Sequence, residues 1–184
     1  MIAADSGADH AFALGVSVDL AVGDFDSISA DGLAELERVG ARLERYPSDK
    51  DATDLELALA AAAACRPRRI VVLGGTAGRL DHLLGGLSLL GAEPRWAPEI
   101  DALLGPATVH VVHDERLLSG RVGELVSLFA LHGPAHGVAS EGLVYPLLGE
   151  TLAPGSTRGV SNVFAATEAR VALTSGVLLV VRPG

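Results

Sequence analysis

Six aspartates stand just after apolar runs or at the start of helical patterns: Asp5, Asp24, Asp26, Asp51, Asp54 and Asp81. In an open α/β sheet the ligand crevice lies outside the carboxyl ends of the strands, so carboxylates placed there converge although they are far apart in sequence. Asp24 and Asp26, in Gly23-Asp24-Phe25-Asp26-Ser27, are two residues apart. In an extended stretch both would point to one side, about 7 Å apart. That arrangement suits a grip on one hydrated divalent cation, and hard oxygen ligands favour Mg²⁺. The same five residues also read as a polar turn, because Asp, Gly and Ser are turn formers.

A second group is Asp49-Lys50-Asp51-Ala52-Thr53-Asp54, where Lys50 is the only lysine of the chain. Asp51 or Thr53 can cap the helix that follows, and first-turn acids complement its dipole. Capping leaves some acids and the lysine unexplained. Together they point to a metal–phosphate site, with Asp54 as ligand and Lys50 on a phosphate or substrate. The third group is Gly74-Gly75-Thr76-Ala77-Gly78-Arg79-Leu80-Asp81-His82. Glycines let a phosphate approach backbone, and a helix N-terminus offers it free N–H groups. No Gly-Lys-Ser/Thr follows, so this is not a Walker loop. Arg79 supplies the planar phosphate fork instead, and His82 reads as an orienting hydrogen-bond partner.

The elements that must position these groups change character along the chain. Strands are expected at Met1–Ala4, Val18–Val22, Ala41–Tyr46 and Ile70–Leu73, alternating with helices at Ser6–Leu14, Asp31–Val39, Thr53–Cys65 and Leu80–Leu90. That alternation implies an α/β domain with a mostly parallel sheet and helices on both faces, over residues 1–116. A parallel sheet starting at Met1 would lack a first strand–helix unit, so one is expected upstream. Later apolar runs at Val109–Val112, Glu124–Leu131, Val138–Leu147, Glu168–Thr174 and Val177–Arg182 are separated by Gly, Pro and Ser turns. They predict a small all-β antiparallel sandwich domain over 117–184.

Composition removes several function classes. With 14 Lys and Arg against 23 Asp and Glu, the net charge is −9 and there is no basic footprint for nucleic acid. One cysteine excludes a disulfide framework and a Cys-ligated zinc site. The longest apolar run, Leu57–Cys65, falls far short of the ~20 residues of a spanning helix. With no secretory pattern at the start, the expectation is a cytoplasmic protein without membrane contact. His110 and His113 point to opposite faces of a strand, and Gly133-Pro134 prevents His132 and His136 from sharing a helix turn, so a histidine metal site is not expected. Asn162 beside Phe164 pairs an amide with an aromatic face, a hint of a heteroaromatic ligand.

The ordered set Ala4-Asp5-x-Gly7-Ala8, Gly23-Asp24-Phe25-Asp26-Ser27, Lys50-Asp51-x-Thr53-Asp54, Gly78-Arg79-Leu80-Asp81-His82, Gly142-Leu143 and Ser161-Asn162 resembles the thiamine pyrophosphokinases. The resemblance implies transfer of the pyrophosphoryl group of ATP to the hydroxyl of thiamine, releasing AMP. It also implies a homodimer with thiamine at the interface. Carried over, Asp24, Asp26 and Asp54 hold Mg²⁺ and act with Asp81 as catalytic groups, with either Asp54 or Asp81 as proton acceptor. Asp5, Lys50, Asp51, Thr53, Arg79 and His82 line the nucleotide and phosphates. Ser161 and Asn162 contact thiamine, and Phe164 corresponds to a stacking aromatic. The chain departs from the pattern at Ser6, Gly75, Ala77, Gly86, Tyr145 and Val163. Two alternatives are an inactive thiamine or nucleotide sensor, and a nucleotide-sugar glycosyltransferase using Asp24-x-Asp26 as its metal motif.

Overall fold

The structure, a computed structural model, describes residues 1–76, 78–92 and 96–184. It divides into two compact units, Met1–Pro67 and Arg68–Gly184. In the first, strands β1 (Ile2–Ala4), β2 (Leu20–Gly23) and β3 (Arg42–Arg45) form a parallel sheet in that order. Ala3, Ala21 and Val22 are buried, whereas Arg-Leu-Glu-Arg makes β3 a polar edge. Helix α1 (Gly7–Ala13) buries Ala8 and Ala11, one helical turn apart. Helix α2 (Ala30–Arg38) is capped by Ser29, whose hydroxyl accepts from the Gly32 N–H at 2.9 Å. Helix α3 (Asp54–Ala64) is capped by Thr53, which accepts from the Glu56 N–H at 3.3 Å, and α3 packs on β1 and β2. Ala3, Ala8, Ala11, Val18, Ala21, Phe25 and Leu36 make the core of this unit.

The second unit is one nine-stranded mixed sheet. Strands β4 (Arg69–Gly74) and β5 (Glu99–Leu104) are parallel, and helix α4 (Leu80–Leu90) lies between them in sequence. The remaining strands are antiparallel: β6 (Ala107–Val112), β7 (Glu115–Ser119), β8 (Leu125–Glu141), β9 (Leu148–Leu152), β10 (Asn162–Val163), β11 (Glu168–Ala172) and β12 (Ser175–Arg182). The order is β4-β5-β6-β12-β8-β11-β7, with β9 and β10 also on β8. Strand β8 is 17 residues long and serves two neighbourhoods: Ser127–Leu131 pair with β12, Ala139–Glu141 with β11. Register shifts after Ala135, and positive φ at His132 and Gly137, curl it between the two. Inside the curl sits a core that includes Val126, Leu128, Val138, Leu147, Phe164 and Leu178.

Two expectations need correction. The parallel strands of the N-terminal half do not form one sheet: β1–β3 stand apart, and β4 and β5 are the parallel end of the mixed sheet. The runs Glu124–Leu131 and Val138–Leu147 are not two strands, because β8 crosses Gly133-Pro134 without ending, and a proline is tolerated where the ladder slips. Strands β5 and β7 were not expected at all. In β5 the apolar run is broken by Asp101, which is only 1% exposed. Its carboxylate receives Arg69 Nε from β4 at 2.7 Å, Arg116 Nη2 from β7 at 2.8 and 2.9 Å, and His110 Nδ1 from β6 at 2.7 Å.

Burial raises the Asp101 carboxyl, but His110, Arg116 and Arg69 outweigh it and leave it below its ordinary value. Its contribution to stability is therefore in force above the unfolded-chain value of 3.8 and is lost as pH falls through the lower folded value. Asp101→Asn, which leaves the Arg69 and Arg116 guanidiniums and the His110 ring facing a neutral amide, is expected to cost about 3–5 kcal/mol. Urea unfolding at neutral pH checks this; an unchanged midpoint would make the network ornamental.

Candidate functional site

The carboxyl ends of β1 and β2 and the start of α3 carry Asp5, Asp24, Asp26, Lys50 and Asp54. Asp5 is 6% exposed and has φ +45. One of its carboxylate oxygens receives the Ser27 hydroxyl, and the other, Oδ1, is buried without a hydrogen-bond partner. Phe25 has φ +60, so Asp24 and Asp26 flank a left-handed residue and are not part of an extended stretch. The Asp26 N–H turns back to Asp24 Oδ1 at 3.2 Å. The polar turn is therefore real, and it brings the ligands closer than an extended pair would. Ligand oxygens of Asp5, Asp24 and Asp26 all lie within 4.8 Å of one another.

Gly23 makes this approach possible. Its φ is +152, and a Cβ there would sit 3.1 Å from the Asp5 Cβ and 3.2 Å from Asp54 Oδ1. Asp54 thus closes the same cluster from the first turn of α3. Lys50 Nζ lies 3.3 Å from Asp24 Oδ2 and 3.0 Å from Asp54 Oδ1, and its side chain is 13% exposed. The Asp54 contact is an ion pair outside hydrogen-bond alignment, so that buried oxygen keeps a lone pair to offer.

The charges divide the carboxylates into unlike groups. Asp24 is held below the ordinary carboxylate range, first by the Asp26 N–H and then, against some desolvation, by Lys50. Asp26 is pushed up, first by the Asp24 charge, then by desolvation and the charges of Asp5 and Asp54. Lys50 is raised by its contact with Asp54 and, against desolvation, by Asp24. An all-carboxylate donor set with an orphaned buried oxygen suits a hard cation, which would relieve the repulsion recorded at Asp26. Thr53 is spent on the α3 cap, and Asp51 is exposed.

The other expected residues belong to the second unit. Arg79 grips Asp81 through Nε at 3.2 Å and Nη2 at 2.6 Å, both side chains exposed. This holds the Asp81 carboxyl at about 2. His82 is exposed in the first turn of α4. Ala77 of the glycine-rich loop lies outside the described residues. Ser161 is exposed at φ +58, its N–H donating to Ser127 Oγ at 3.0 Å. Asn162 is buried, accepting from the Tyr145 and Val163 N–H groups at 3.0 and 2.9 Å and donating to the Tyr145 carbonyl at 2.7 Å. Phe164 overturns its expected role. It is 0% exposed, packed against Gly120 and under the Arg182 guanidinium, so its ring has no face to offer a ligand. The exposed aromatic here is Tyr145, 57% exposed and fixed by Asn162. Its signal in the sequence was its place beside Gly142-Leu143, where the resemblance leads one to expect a tryptophan.

Residues 1–97 match the family model of the thiamin pyrophosphokinase catalytic domain, and residues 107–178 that of the thiamin pyrophosphokinase vitamin B1 binding domain. The chain is 29% identical over 170 residues to thiamine pyrophosphokinase of Bacillus subtilis (strain 168), covering 88% of this chain and 77% of that one. The crystal structure of the Bacillus subtilis thiamine pyrophosphokinase superposes with a TM-score of 0.84 at 26% identity, over 98% of this chain and 85% of that one. A thiamin pyrophosphokinase family protein from Enterococcus faecalis gives 0.83 at 26%, over 98% and 86%. The Candida albicans thiamin pyrophosphokinase shares the fold, with a TM-score of 0.80 at 16% identity over 98% of this chain and 81% of that one. By its aspartate motifs, its fold and both domain models, the chain belongs to the thiamin pyrophosphokinase family.

Proposed function

We propose that the chain transfers the pyrophosphoryl group of ATP to the hydroxyl of thiamine, giving thiamine diphosphate and AMP, at the aspartate cluster of its first unit. Family membership carries the reaction class. The observation that ties it to a place is the convergence of Asp5, Asp24 and Asp26 oxygens within 4.8 Å. The thiamine hydroxyl oxygen attacks the β-phosphorus, the bond from that phosphorus to the α-bridging oxygen breaks, and AMP leaves with the oxygen. The hydroxyl proton needs an acceptor. Asp81 is paired with Arg79 and Asp54 with Lys50, and one of these two carboxylates is the acceptor in this reading.

Asp24, Asp26 and Asp54, with Asp5 beside them, would hold Mg²⁺. Bound there, it would neutralise phosphate charge and polarise phosphoryl oxygens. The residues themselves position: Lys50 tethers Asp24 to Asp54, and Ser27 fixes Asp5. Arg79 and the α4 N-terminus are read as a phosphate contact with His82 in the same helix turn, and Asp51 and Thr53 as nucleotide contacts of the first unit. The all-β part is read as a sandwich that takes thiamine. Ser161 and Tyr145 contact it there, and Asn162 holds Tyr145 in place. The two family models hand over between residues 97 and 107, which supports a catalytic and a thiamine-binding part; the division at 116/117 is our own proposal. A homodimer with thiamine at its interface is the accompanying proposal. Val71 and Leu73 of β4 and Leu103 of β5, exposed on one face, support it. A cytoplasmic location is part of this proposal; no helix among the described residues is long and apolar enough to cross a membrane.

The test is AMP formation from ATP with Mg²⁺, with and without thiamine. AMP only with thiamine is expected; binding of either substrate without AMP would identify a sensor, and activity with a UDP-sugar a glycosyltransferase. Tyr145→Ala should raise the thiamine KM roughly two- to tenfold through lost stacking and leave the ATP KM unchanged; equal changes in both would refute the contact. Removing one of four mutually repelling charges, Asp26→Asn should melt above the parent in EDTA and lose the parent's stabilisation by Mg²⁺. A lower melting point in EDTA would contradict the repulsion.

A further inference from the structure

An ATP triphosphate brings about four negative charges. The cluster that would receive it holds four aspartates and a single lysine, in a chain of net charge −9. Lys50 is committed to Asp24 and Asp54 and mostly covered, so its charge is spent on holding carboxylates together. A second cation next to the cluster would be needed to meet the phosphates directly.

Arg45 is placed for this. It ends β3 with its Cα opposite Gly23, the residue before Asp24, and the following N–H, of Tyr46, donates to the Gly23 carbonyl at 3.0 Å. Its guanidinium carbon stands 4.7 Å from the centroid of Phe25, the left-handed residue between Asp24 and Asp26. Phe25 is anchored in the core of the unit, so the platform is fixed. Arg45 itself is exposed, and no carboxylate among the described residues pairs with it, although most other described arginines sit in ion pairs. A guanidinium held through an aromatic face keeps its N–H edge for an oxyanion, which one held by a carboxylate does not.

We propose that Arg45 is a phosphate-binding residue for the nucleotide, presented by Phe25 to the crevice at the ends of β2 and β3. The proposal rests on the reading that ATP binds at the aspartate cluster. Phe25 thereby acquires two tasks: its backbone turns Asp24 and Asp26 together, and its ring aims a cation at what they bind.

The test uses the full chain with Mg²⁺ and compares Arg45→Ala and Arg45→Lys with the parent. Arg45→Ala is expected to raise the ATP KM and weaken binding of α,β-methylene-ATP, which cannot be cleaved at the reacting bridge, both by roughly tenfold. The thiamine KM and the melting temperature should stay at the parent values. Arg45→Lys, which keeps charge without the planar fork, should fall between. Unchanged analogue binding in Arg45→Ala overturns the proposal. So does a melting temperature that falls while both KM values rise together, since Arg45 would then only brace the turn. A parent that binds the analogue in an Arg45-dependent manner but forms no AMP with thiamine would refute the reaction assignment and leave the Arg45 assignment standing.

Discussion

Oxygens of Asp5, Asp24 and Asp26 approach within 4.8 Å, and Asp54 reaches the same place from the first turn of α3. Carboxylates this close oppose the fold that gathers them, and the raised Asp26 carboxyl records that opposition. Everything else in the first unit sustains the gathering. Two parallel strands deliver Asp5 and Asp24, the Phe25 backbone bends Asp26 inward, and Gly23 leaves the gap through which Asp54 approaches. Lys50 offsets part of the repulsion and Ser27 occupies one Asp5 oxygen, yet Asp5 Oδ1 stays buried and unmatched. A site left under such tension is ready for a cation and for the phosphates that a cation brings.

The second unit meets a different constraint. Its mixed sheet must curl far enough to enclose a core, and β8 does so by slipping register around Gly133-Pro134 and Gly137. Asp101 then draws together β4, β6 and β7 through Arg69, His110 and Arg116. With the curl closed, Phe164 becomes core. Asn162, two residues earlier, spends its amide on pinning Tyr145 at the surface.

Local patterns were legible where one segment carried its own signal. The Thr53 cap and the Ala-Leu run define α3, and α4 spans Leu80–Leu90 as its apolar pattern implies. Six aspartates at strand ends or helix starts were read as converging; Asp5, Asp24, Asp26 and Asp54 do lie together in the first unit, whereas Asp51 is exposed and Asp81 belongs to the second unit. What escaped were features set by long-range partners. Asp101 disguised β5 because a buried acid is tolerable only beside cations that come from other strands. The Asp24–Asp26 geometry depended on a left-handed Phe25, which spacing does not reveal. Phe164 passed as a ligand-facing aromatic because sequence does not say which side of a curled sheet a ring faces. Arg45 drew no notice, since a lone arginine in a polar edge strand gains meaning only from the ring beneath it.

Paramagnetic resonance with Mn²⁺ in place of Mg²⁺ and α,β-methylene-ATP in place of substrate addresses the aspartate cluster most directly. The account predicts one bound Mn²⁺ per chain with resolved coupling to nucleotide phosphorus, and loss of both in Asp24→Asn. Free Mn²⁺ with the intact chain, or phosphorus coupling that persists in the Asp24→Asn protein, would contradict it.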